Sequence, residues 1–586
     1  MSKFGTPASV TPEWLRHILR FLVVGIAAVH TTVAVMQQSM NEDGIDYLDV
    51  GAAYWQGDWD SAINGIWSPL YSWILGTVIY LSDPSVWWEF PVVQITNLFI
   101  FGITLICFEF FWRTLTDYYY GTLPTTNDAV RFPPAIWLVL GYSLFTYASL
   151  NLIEIWSVTP DMCVSAIVYL AAGLFVRVAT QRANSRTPLL LGLVLGTGYL
   201  AKAAMLPLAI ACALVMLLLE GSAINRAKRS AWSLLACMLV ASPFVTALSL
   251  NYGEFMFTGV SKFTYLKHVN DMRYPNFIPD VERLGGTPEH PPTRVFDDPP
   301  VYAFAEPVGG TYPMSYDPAY WTAGLSPNVD VVSQLRTLAT SGIFWFDLFV
   351  RGQGGFLAIL LVLVLLSIRP QIRFNTVPPE ILLSLWAVAA FGMYSLVHLT
   401  PRYIAPFLIL FWAGILTSVR LPATAVSRSI ASIGGSVLAL FVCLNIMAFN
   451  LEGLAGIAGF KPAAESAVTG GQFSDGHSVN HPELATLIFE QGLRRHDRIG
   501  FIGYSFTAYW ARLARLKIVA EIHSEDVGRF WAASPEHQTQ ALRAFYKTGA
   551  IAVIAEPVTY RTPPHGWSEL GNTGYLIHLV ETTDRY

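Results

Sequence analysis

Charged residues are scarce in this sequence. Of its 586 residues only 13% are Asp, Glu, Lys or Arg, which is about half the share found in soluble domains. The formal net charge of −5 decides little about partners. No tract of Lys and Arg is present, so the sequence predicts no nucleic-acid partner.

Cysteine is also rare, and the common catalytic and metal motifs do not occur. None of the five cysteines belongs to a CxxC pair, and all lie in apolar segments where small buried side chains are expected: Cys107, Cys163, Cys212, Cys237 and Cys443. The chain has no GxSxG or P-loop motif and no His/Cys cluster with metal-ligand spacing. The sequence therefore predicts no dedicated metal site.

Apolar residues are abundant instead. The hydrophobic fraction is 53% and the mean hydropathy is +0.45. Apolar windows of about 20 residues, the length that spans a bilayer, recur along the chain. We therefore expect an all-α polytopic membrane bundle of about 11–13 transmembrane helices. No cleavable signal peptide is evident, and residues 21–36 are expected to be a retained first span.

Lys and Arg near the span ends predict the topology, because they mark the cytoplasmic side. Lys3, Arg16 and Arg20 place the N-terminus inside and the first outer loop, 37–67, outside. Further basic clusters are expected inside: Arg177/Arg182/Arg186, Arg226/Lys228/Arg229, Arg369/Arg373 and Arg420/Arg428. The large loop 251–342 and everything after residue 450 then lie outside.

One segment conflicts with simple alternation. Arg113 and Arg131 should be inside, which requires an odd number of crossings after the first outer loop. Two apolar segments, 68–83 and 88–113, precede them. Either 68–83 is re-entrant or the charge rule fails here.

The sequence divides into two predicted domains, 1–450 in the membrane and 451–586 outside it. In the second, strand patterns at 498–503, 517–522 and AIAVIAEP alternate with helical patterns, which indicates a small extracytoplasmic α/β domain. Its turn FIGYSF lacks the GxGxxG spacing of a nucleotide loop. A structural or acceptor-guiding cap is the preferred interpretation.

The first outer loop is rich in acids and has no Lys or Arg: Glu42, Asp43, Asp46, Asp49, Asp58 and Asp60. The turn signal Asp43-Gly44 precedes a predicted interfacial helix whose apolar face includes Tyr47. Asp46 and Asp49 fall on the opposite face, which we expect, with Asp58 and Asp60, to be solvated. Asp43 differs, because it lies at the top of the first span, where a side chain can turn inward over the bundle.

Other polar residues are predicted at the same side of the membrane. Asp161 follows a proline and either caps a helix or faces inward. Lys202 interrupts a long apolar stretch and must pair, line a wet cavity or snorkel to the surface. His398 and Arg402 lie at an outer turn, and Arg suits phosphate oxygens. Carboxylates as bases beside fixed cations fit transfer of a group from a lipid phosphate carrier.

The order of these motifs resembles the GT-C superfamily of polytopic glycosyltransferases. It is most similar to the branch with aminoarabinose transferases, protein O-mannosyltransferases and rhizobial lipopolysaccharide-core transferases. The likeness covers about residues 15–450, in weak but ordered motifs. The matching residues are Asp43, Tyr47, Gly51-Ala52, Gly57-Asp58-Trp59, Pro69-Leu70-Tyr71, Thr159-Pro160-Asp161, Gly198 to Lys202, Arg402-Tyr403 and Pro406.

The resemblance implies a polyprenyl-phosphate-linked sugar as donor, a lipid, glycan or protein as acceptor, and transfer with inversion outside a bacterial inner membrane. It implies a first-loop acid as catalytic base, which is Asp43 by position, with Glu42 as the alternative. Asp161 would be the second acid. The remaining implied site residues are Lys202, Arg402 and His398 for the donor phosphate, and Asp46, Tyr47 and Asp49 in an acceptor or interfacial loop.

The chain departs from the resemblance in one place. Aminoarabinose transferases have a Glu-Lys pair before the Pro-Pro-Leu, where this sequence reads Ile66-Trp67-Ser68-Pro69. Phosphate recognition must then come from elsewhere. The first-loop carboxylates also leave room for a divalent cation, although their spacing does not demand one.

Two other functions stay open from the sequence alone. One is a glycolipid transporter or flippase, which often shows internal repeats and mid-depth polar residues, neither of which is seen here. The other is a non-catalytic scaffold for envelope assembly, with the C-terminal domain as its partner surface. In that case Asp43 would be unimportant.

Overall fold

The structure is a computed structural model that describes residues 12–38, 40–121, 129–180, 184–272, 284–306, 308–313, 317–367, 377–457, 480–557 and 563–580. Side chains are described up to residue 450 in the last helix of the bundle. Four of the basic residues used for the topology, Lys3, Arg182, Arg369 and Arg373, lie outside these ranges.

Most of the described residues up to 457 are helical. In chain order the helices are α1 (Glu13–Gln37), α2 (Glu42–Gln56), α3 (Trp59–Ala62), α4 (Pro69–Ser82), α5 (Glu89–Gly121), α6 (Pro134–Thr146, continued by a π-helical turn Tyr147–Leu152), α7 (Asp161–Ala179), α8 (Thr187–Ala201), α9 (Met205–Met216), α10 (Ala223–Tyr252), α11 (Val260–His268), α12 (Val331–Phe346, continued by a π-helical turn Asp347–Gly352), α13 (Gly354–Leu365), α14 (Pro379–Ser395), α15 (Pro401–Ser418) and α16 (Ala425–Ile457).

The described part of the chain forms an integral membrane bundle, as predicted. Seven helices are long and apolar enough to cross a membrane, or eight if α12 and α13, bent by 79°, are one span. The predicted 11–13 spans are reached if α12 and α13 are one span and three shorter apolar helices, α8, α9 and α14, also cross; α4 is a fourth short apolar helix. α7 is the central helix, because 89% of its apolar window is buried, against 22% for α1.

The geometry of α4 explains the conflict in the charge rule. α4 has 14 residues, about 21 Å of helix, which is too short for a hydrocarbon core of about 30 Å. Seven residues after it, Glu89 opens α5 within 3.6 Å of Arg512, which also binds Asp49 of the first outer loop. α5 therefore begins at the end of the bundle where that loop lies, which favours the re-entrant alternative for 68–83.

α2 and α4 cross in direct backbone contact. A Cβ on Gly51 would lie 2.7 Å from the carbonyl oxygen of Ser72 and 3.0 Å from the Gly76 Cα. A Cβ on Gly76 would in turn meet the Gly51 carbonyl oxygen at 2.6 Å. This close approach explains why the small residue of the first-loop motif must be small.

The C-terminal segment folds as the predicted α/β arrangement. Its helices are α17 (His481–Glu490), α18 (Tyr509–Leu513), α19 (Val527–Ala532) and α20 (Pro535–Lys547). The strands of the whole chain are β1 (Ala129–Val130), β2 (Thr293–Asp297), β3 (Pro300–Ala303), β4 (Leu421–Pro422), β5 (Arg498–Gly503), β6 (Lys517–His523), β7 (Ala552–Ala555), β8 (Ser568–Glu569) and β9 (Leu576–Leu579). The three strands predicted from the sequence are thus present as β5, β6 and β7.

The sheet also recruits strands that were not predicted. Its order is β2-β3-β6-β5-β7-β9-β8, with β5 parallel to both β6 and β7 and the other pairs antiparallel. β2 and β3 come from the large outer loop, so that loop and the C-terminal segment share one sheet. The domain division at residue 450 itself stays a prediction.

Candidate active site

Four charged side chains from four separate parts of the chain meet at the end of the bundle beneath the C-terminal domain. Arg402 Nη2 donates to Asp43 Oδ2 at 2.9 Å, and its Nε lies 3.6 Å from Asp161 Oδ2. Lys202 Nζ donates to the other oxygen of Asp161 at 2.6 Å. Two carboxylates and two cations therefore form one charge-balanced network, and all four were candidates from the sequence.

Asp161 faces this network and does not cap its helix. It is the first residue of α7, the N-cap position is Pro160, and no side-chain cap bond is made there. Its side chain is only 3% exposed. The capping alternative is therefore wrong, and the Asp161 carboxylate serves the two cations.

Lys202 is held between a carboxylate and an aromatic ring. α8 ends at Ala201, and Lys202 follows it in an extended conformation that turns its side chain toward α15. Its Nζ lies 3.4 Å from the centroid of the Tyr403 ring, which is cation–π geometry. Lys202 thus does not snorkel to the surface but pairs with Asp161.

Two further carboxylates lie beside the network. Burial raises the pKa of Glu154 to about 7, although the neighbouring Arg402 lowers it. Glu154 also has a left-handed backbone, φ 62°, which costs a non-glycine residue about 1 kcal/mol. Burial likewise raises the pKa of Glu42, which accepts a hydrogen bond from the Tyr504 hydroxyl at 3.0 Å.

His398 lies next to the network as a neutral imidazole. It stacks on His268 with ring centroids 3.7 Å apart, and its ring lies 6.0 Å from that of Tyr403. Burial and the nearby cations lower the pKa of His398 to about 4. At pH 7 His398 can therefore offer a phosphate a hydrogen bond but no positive charge.

The expectation that Asp46 and Asp49 are solvated is wrong. Both are buried on α2, at 4% and 8% exposure. Asp49 binds Arg512 of α18 at 2.5 Å and accepts the Thr311 backbone N–H at 2.8 Å. The polar face of α2 is covered by the C-terminal domain and the large outer loop instead of water.

The other residues of the first outer loop behave as expected. Asp58 and Asp60 are exposed, and Asp58 caps α3 through the Ser61 N–H. Tyr47 is buried on the apolar face of α2, where its ring packs edge-on against Trp67 and Tyr71 at 4.8 and 5.1 Å. The loop therefore has a packed inner face as well as a docked polar face.

Sequence reasoning missed several residues of this region: Tyr403 as a ring beneath Lys202, His268, Tyr504 and Arg512. Tyr504 lies in the FIGYSF turn, which was recognised only as a departure from a nucleotide loop. Arg512 lies on a short helix whose pattern resembles any amphipathic surface helix. Only a prediction of the contact between the C-terminal domain and α2 could have found these two.

Ligands for a metal ion do not cluster in the residues that the structure describes. Within those ranges no group of three or more His, Cys, Asp or Glu side chains is arranged to hold an ion. Asp43 and Asp161 are instead engaged by Arg402 and Lys202. The arrangement fits a cation-lined anion site better than a divalent-cation site.

Comparison with known proteins gives similar solved structures only. No family model and no curated protein match the sequence. The chain is similar to ArnT from Cupriavidus metallidurans bound to undecaprenyl phosphate, with 13% identity, a TM-score of 0.48, and coverage of 95% of this chain and 97% of ArnT. It is also similar to the Archaeoglobus fulgidus oligosaccharyltransferase tethered with an acceptor peptide, with 10% identity, a TM-score of 0.45, and coverage of 93% and 70%. Both are GT-C glycosyltransferases, the superfamily that the sequence motifs resemble.

Proposed function

We propose that this protein is a membrane glycosyltransferase. It moves a sugar from a polyprenyl-phosphate-linked donor to an acceptor outside the inner membrane of a bacterium, with inversion at the sugar carbon. The observation that supports this function best is the meeting of Asp43, Asp161, Lys202 and Arg402 at one end of the bundle. A cluster of acids and cations at one end of a membrane bundle suits a substrate that is half lipid and half phosphate.

The proposed reaction is a single displacement. Asp43 takes the proton of the acceptor nucleophile. At the same time a lone pair of the acceptor nucleophile forms the new bond to the anomeric carbon. The bond between that carbon and the phosphate oxygen breaks, and its electron pair leaves with polyprenyl phosphate. The phosphate thereby gains one negative charge, which Lys202 and Arg402 stabilise. Asp161 holds both cations in place.

The present ion pairs keep these cations ready for the donor. Arg402 binds Asp43 at 2.9 Å, so a base and a phosphate ligand are joined before substrate arrives. In the proposal, the donor phosphate competes for Arg402 and frees the Asp43 carboxylate toward the acceptor. This coupling would make donor binding a condition for base activity. Arg402 would also supply the phosphate-binding cation that is missing from the segment Ile66 to Pro69.

Replacement of Asp43 tests this function. In membranes supplied with undecaprenyl-phosphate-linked sugars, Asp43→Asn should lower the transfer rate by about 10²–10⁴-fold, the usual contribution of a general base. Expression should stay normal, and undecaprenyl phosphate should bind at least as tightly as to the wild type, because the carboxylate that competes for Arg402 is gone. Asp60→Asn, an exposed acid of the same loop, is the matched control and should transfer at the wild-type rate.

The outcomes separate the proposed function from its alternatives. Wild-type transfer by Asp43→Asn would show that Asp43 is not the base, and the same measurement on Glu42→Gln would then test the neighbouring acid. Movement of a glycolipid across vesicles without any transfer would favour a flippase. Neither transfer nor movement would favour a scaffold.

A further inference from the structure

One face of α2 is bound by the C-terminal domain, while the next residue along the helix belongs to the charge network. Glu42, Asp46 and Asp49 are spaced i, i+4, i+7 and so share one face. Asp43 is turned about 100° from Glu42 and reaches Arg402. The orientation of α2 thus decides whether Asp43 meets the network.

Arg512 anchors the C-terminal end of this face. Its Nη1 binds Asp49 Oδ1 at 2.5 Å, and its Nε lies 3.6 Å from Glu89 Oε1. The Tyr509 hydroxyl donates to the same Glu89 oxygen at 3.3 Å. Side-chain exposure of Arg512 is only 10%, so water competes little for these contacts, and removing Arg512 would leave buried carboxylates without their partner.

Tyr504 anchors the N-terminal end. Its hydroxyl donates to Glu42 Oε1 at 3.0 Å, and its backbone N–H donates to Glu556 Oε1 at 2.8 Å. The next residue, Ser505, donates from Oγ to the buried Glu521 at 2.6 Å. The turn is therefore fixed within its own domain, and Tyr504 can hold Glu42 in one position.

Two anchors about two helical turns apart fix both the rotation and the translation of α2. A single contact would hold the polar face of the helix at one point only. A roll of one residue position, about 100°, would carry Asp43 out of reach of Arg402. The backbone contact of Gly51 with Gly76 limits sliding on the opposite side, but it gives no charge-specific orientation.

We propose that Tyr504 and Arg512 are positioning residues of the transferase site, through which the C-terminal domain holds α2 so that its acids face the donor. This inference rests on the proposed function. It assigns the C-terminal domain a part in the reaction instead of the role of a passive cap. Tyr504 acts on Glu42, and Arg512 acts on Asp49.

The activity test uses Tyr504→Phe, which removes one oxygen atom, and Arg512→Met. We expect kcat to fall about tenfold for Tyr504→Phe, as for loss of a hydrogen bond to a charged group, with unchanged binding of undecaprenyl phosphate. Arg512→Met should lower kcat as well. Arg512→Lys should keep part of the activity that Arg512→Met loses, because Lys retains the positive charge but not the two-pronged contact of Arg. Matched controls in the same domain are Tyr546→Phe, whose hydroxyl contacts His578, and Arg529→Met, whose partners are Asp298 and Asp526.

The pH profile adds a readout that a purely structural role would not change. Tyr504, Asp43 and Lys267 are the groups that act on Glu42, and the Tyr504 hydrogen bond favours its ionised form. Loss of this bond in Tyr504→Phe should therefore raise the pKa of Glu42. Where transfer requires the ionised Glu42 carboxylate beside the base Asp43, the acidic limb of the pH–rate profile moves to higher pH. The limb should not move in Tyr546→Phe.

Hydrogen–deuterium exchange of the intact protein tests the positioning without any sugar transfer. Amides of α2 should exchange about tenfold faster in Tyr504→Phe and Arg512→Met, as for loss of one anchoring interaction, and at the wild-type rate in the two controls. Unchanged exchange in α2 would overturn the inference even if the protein transfers sugar. Suppose instead that α2 exchanges faster in the variants but the wild-type protein transfers no sugar. That result would refute the proposed function and leave the docking of α2 standing. If Arg512→Met does not fold, Tyr504→Phe alone decides.

Discussion

Lys202 and Asp161 form the most buried ion pair of the network of Asp43, Asp161, Lys202 and Arg402, with Nζ and Oδ1 2.6 Å apart. The Asp161 side chain is 3% exposed and that of Lys202 is 21% exposed. Such a pair adds little net stability, because desolvation offsets the attraction. Removing one partner alone leaves an uncompensated buried charge, so function and stability must be measured separately at this position.

Lys202→Met is expected to weaken binding of undecaprenyl phosphate about tenfold or more, since a charge-assisted contact to the phosphate is lost. Acceptor binding should change much less. Titration of the purified protein with undecaprenyl phosphate measures the effect, and Lys262→Met, an exposed lysine of α11, is the control. A defect confined to the acceptor would show that Lys202 does not contact the phosphate.

The double variant Lys202→Met/Asp161→Asn separates the two roles of this pair. Lys202→Met alone should lower Tm, because Asp161 then keeps only the weaker contact to Arg402, 3.6 Å away. Neutralising Asp161 as well should recover most of the lost Tm but none of the donor affinity. Recovery of both would mean that Lys202 acts only by stabilising the fold.

Gly51→Ala should destabilise the protein by about 1–3 kcal/mol, the usual cost of overpacking. The added Cβ would lie 2.7 Å from a carbonyl oxygen of α4, so α2 must shift. Gly102→Ala is the matched control on α5, where a Cβ meets nothing within 4 Å and better helix propensity favours the variant. Equal Tm values for the two variants would contradict the close crossing of α2 and α4.

The charged core of the site could be predicted from the sequence for a simple reason. An ionisable residue at membrane depth is costly, so Lys202 and Asp161 must pair or line a cavity. The distribution of Lys and Arg at the span ends then predicts that Asp43 and Arg402 lie at the same end of the bundle as Lys202 and Asp161. Each of these inferences needs only the identity of one residue and its depth in the membrane, and both can be read from the sequence.

The environment of α2 could not be predicted in the same way. Asp46 and Asp49 have the pattern of a solvated helix face, but a polar face that meets another polar surface has the same pattern. Asp49 and Arg512 are 463 residues apart, and neither residue alone signals the other. The pairing of β3 with β6 is also long-range, because Tyr302 pairs with Glu521, so the sequence did not predict that the large outer loop joins the C-terminal domain.

Glu154 should make stability depend on pH near neutrality. Burial raises its pKa from 4.5 to about 7 in the folded protein. Its contribution to stability is therefore fully present below about pH 4.5 and is lost as the pH rises through about 7. Glu154→Gln removes this loss, which is on the order of 3 kcal/mol.

Thermal unfolding in detergent at pH 5 and pH 8 measures the effect. The Tm of Glu154→Gln minus that of the wild type should be more positive at pH 8 by a few degrees. Glu490→Gln, at an exposed position of α17, controls for the loss of a surface carboxylate. A difference that does not grow with pH would mean that Glu154 is ionised and solvated in the folded protein.

The re-entrant path of α4 predicts the labelling of a cysteine placed just after it. Ser85 is exposed and lies between the end of α4 and Glu89, whose neighbours Arg512 and Asp49 are at the outer end under the proposed topology. Ser85→Cys should therefore react with a membrane-impermeant maleimide in intact cells, as Asp60→Cys should. Arg428→Cys, exposed at the opposite end near the start of α16, should react only after permeabilisation, and the wild type with its five cysteines supplies the background. If Ser85→Cys behaves like Arg428→Cys, α4 crosses the membrane and the charge rule fails at Arg113 and Arg131.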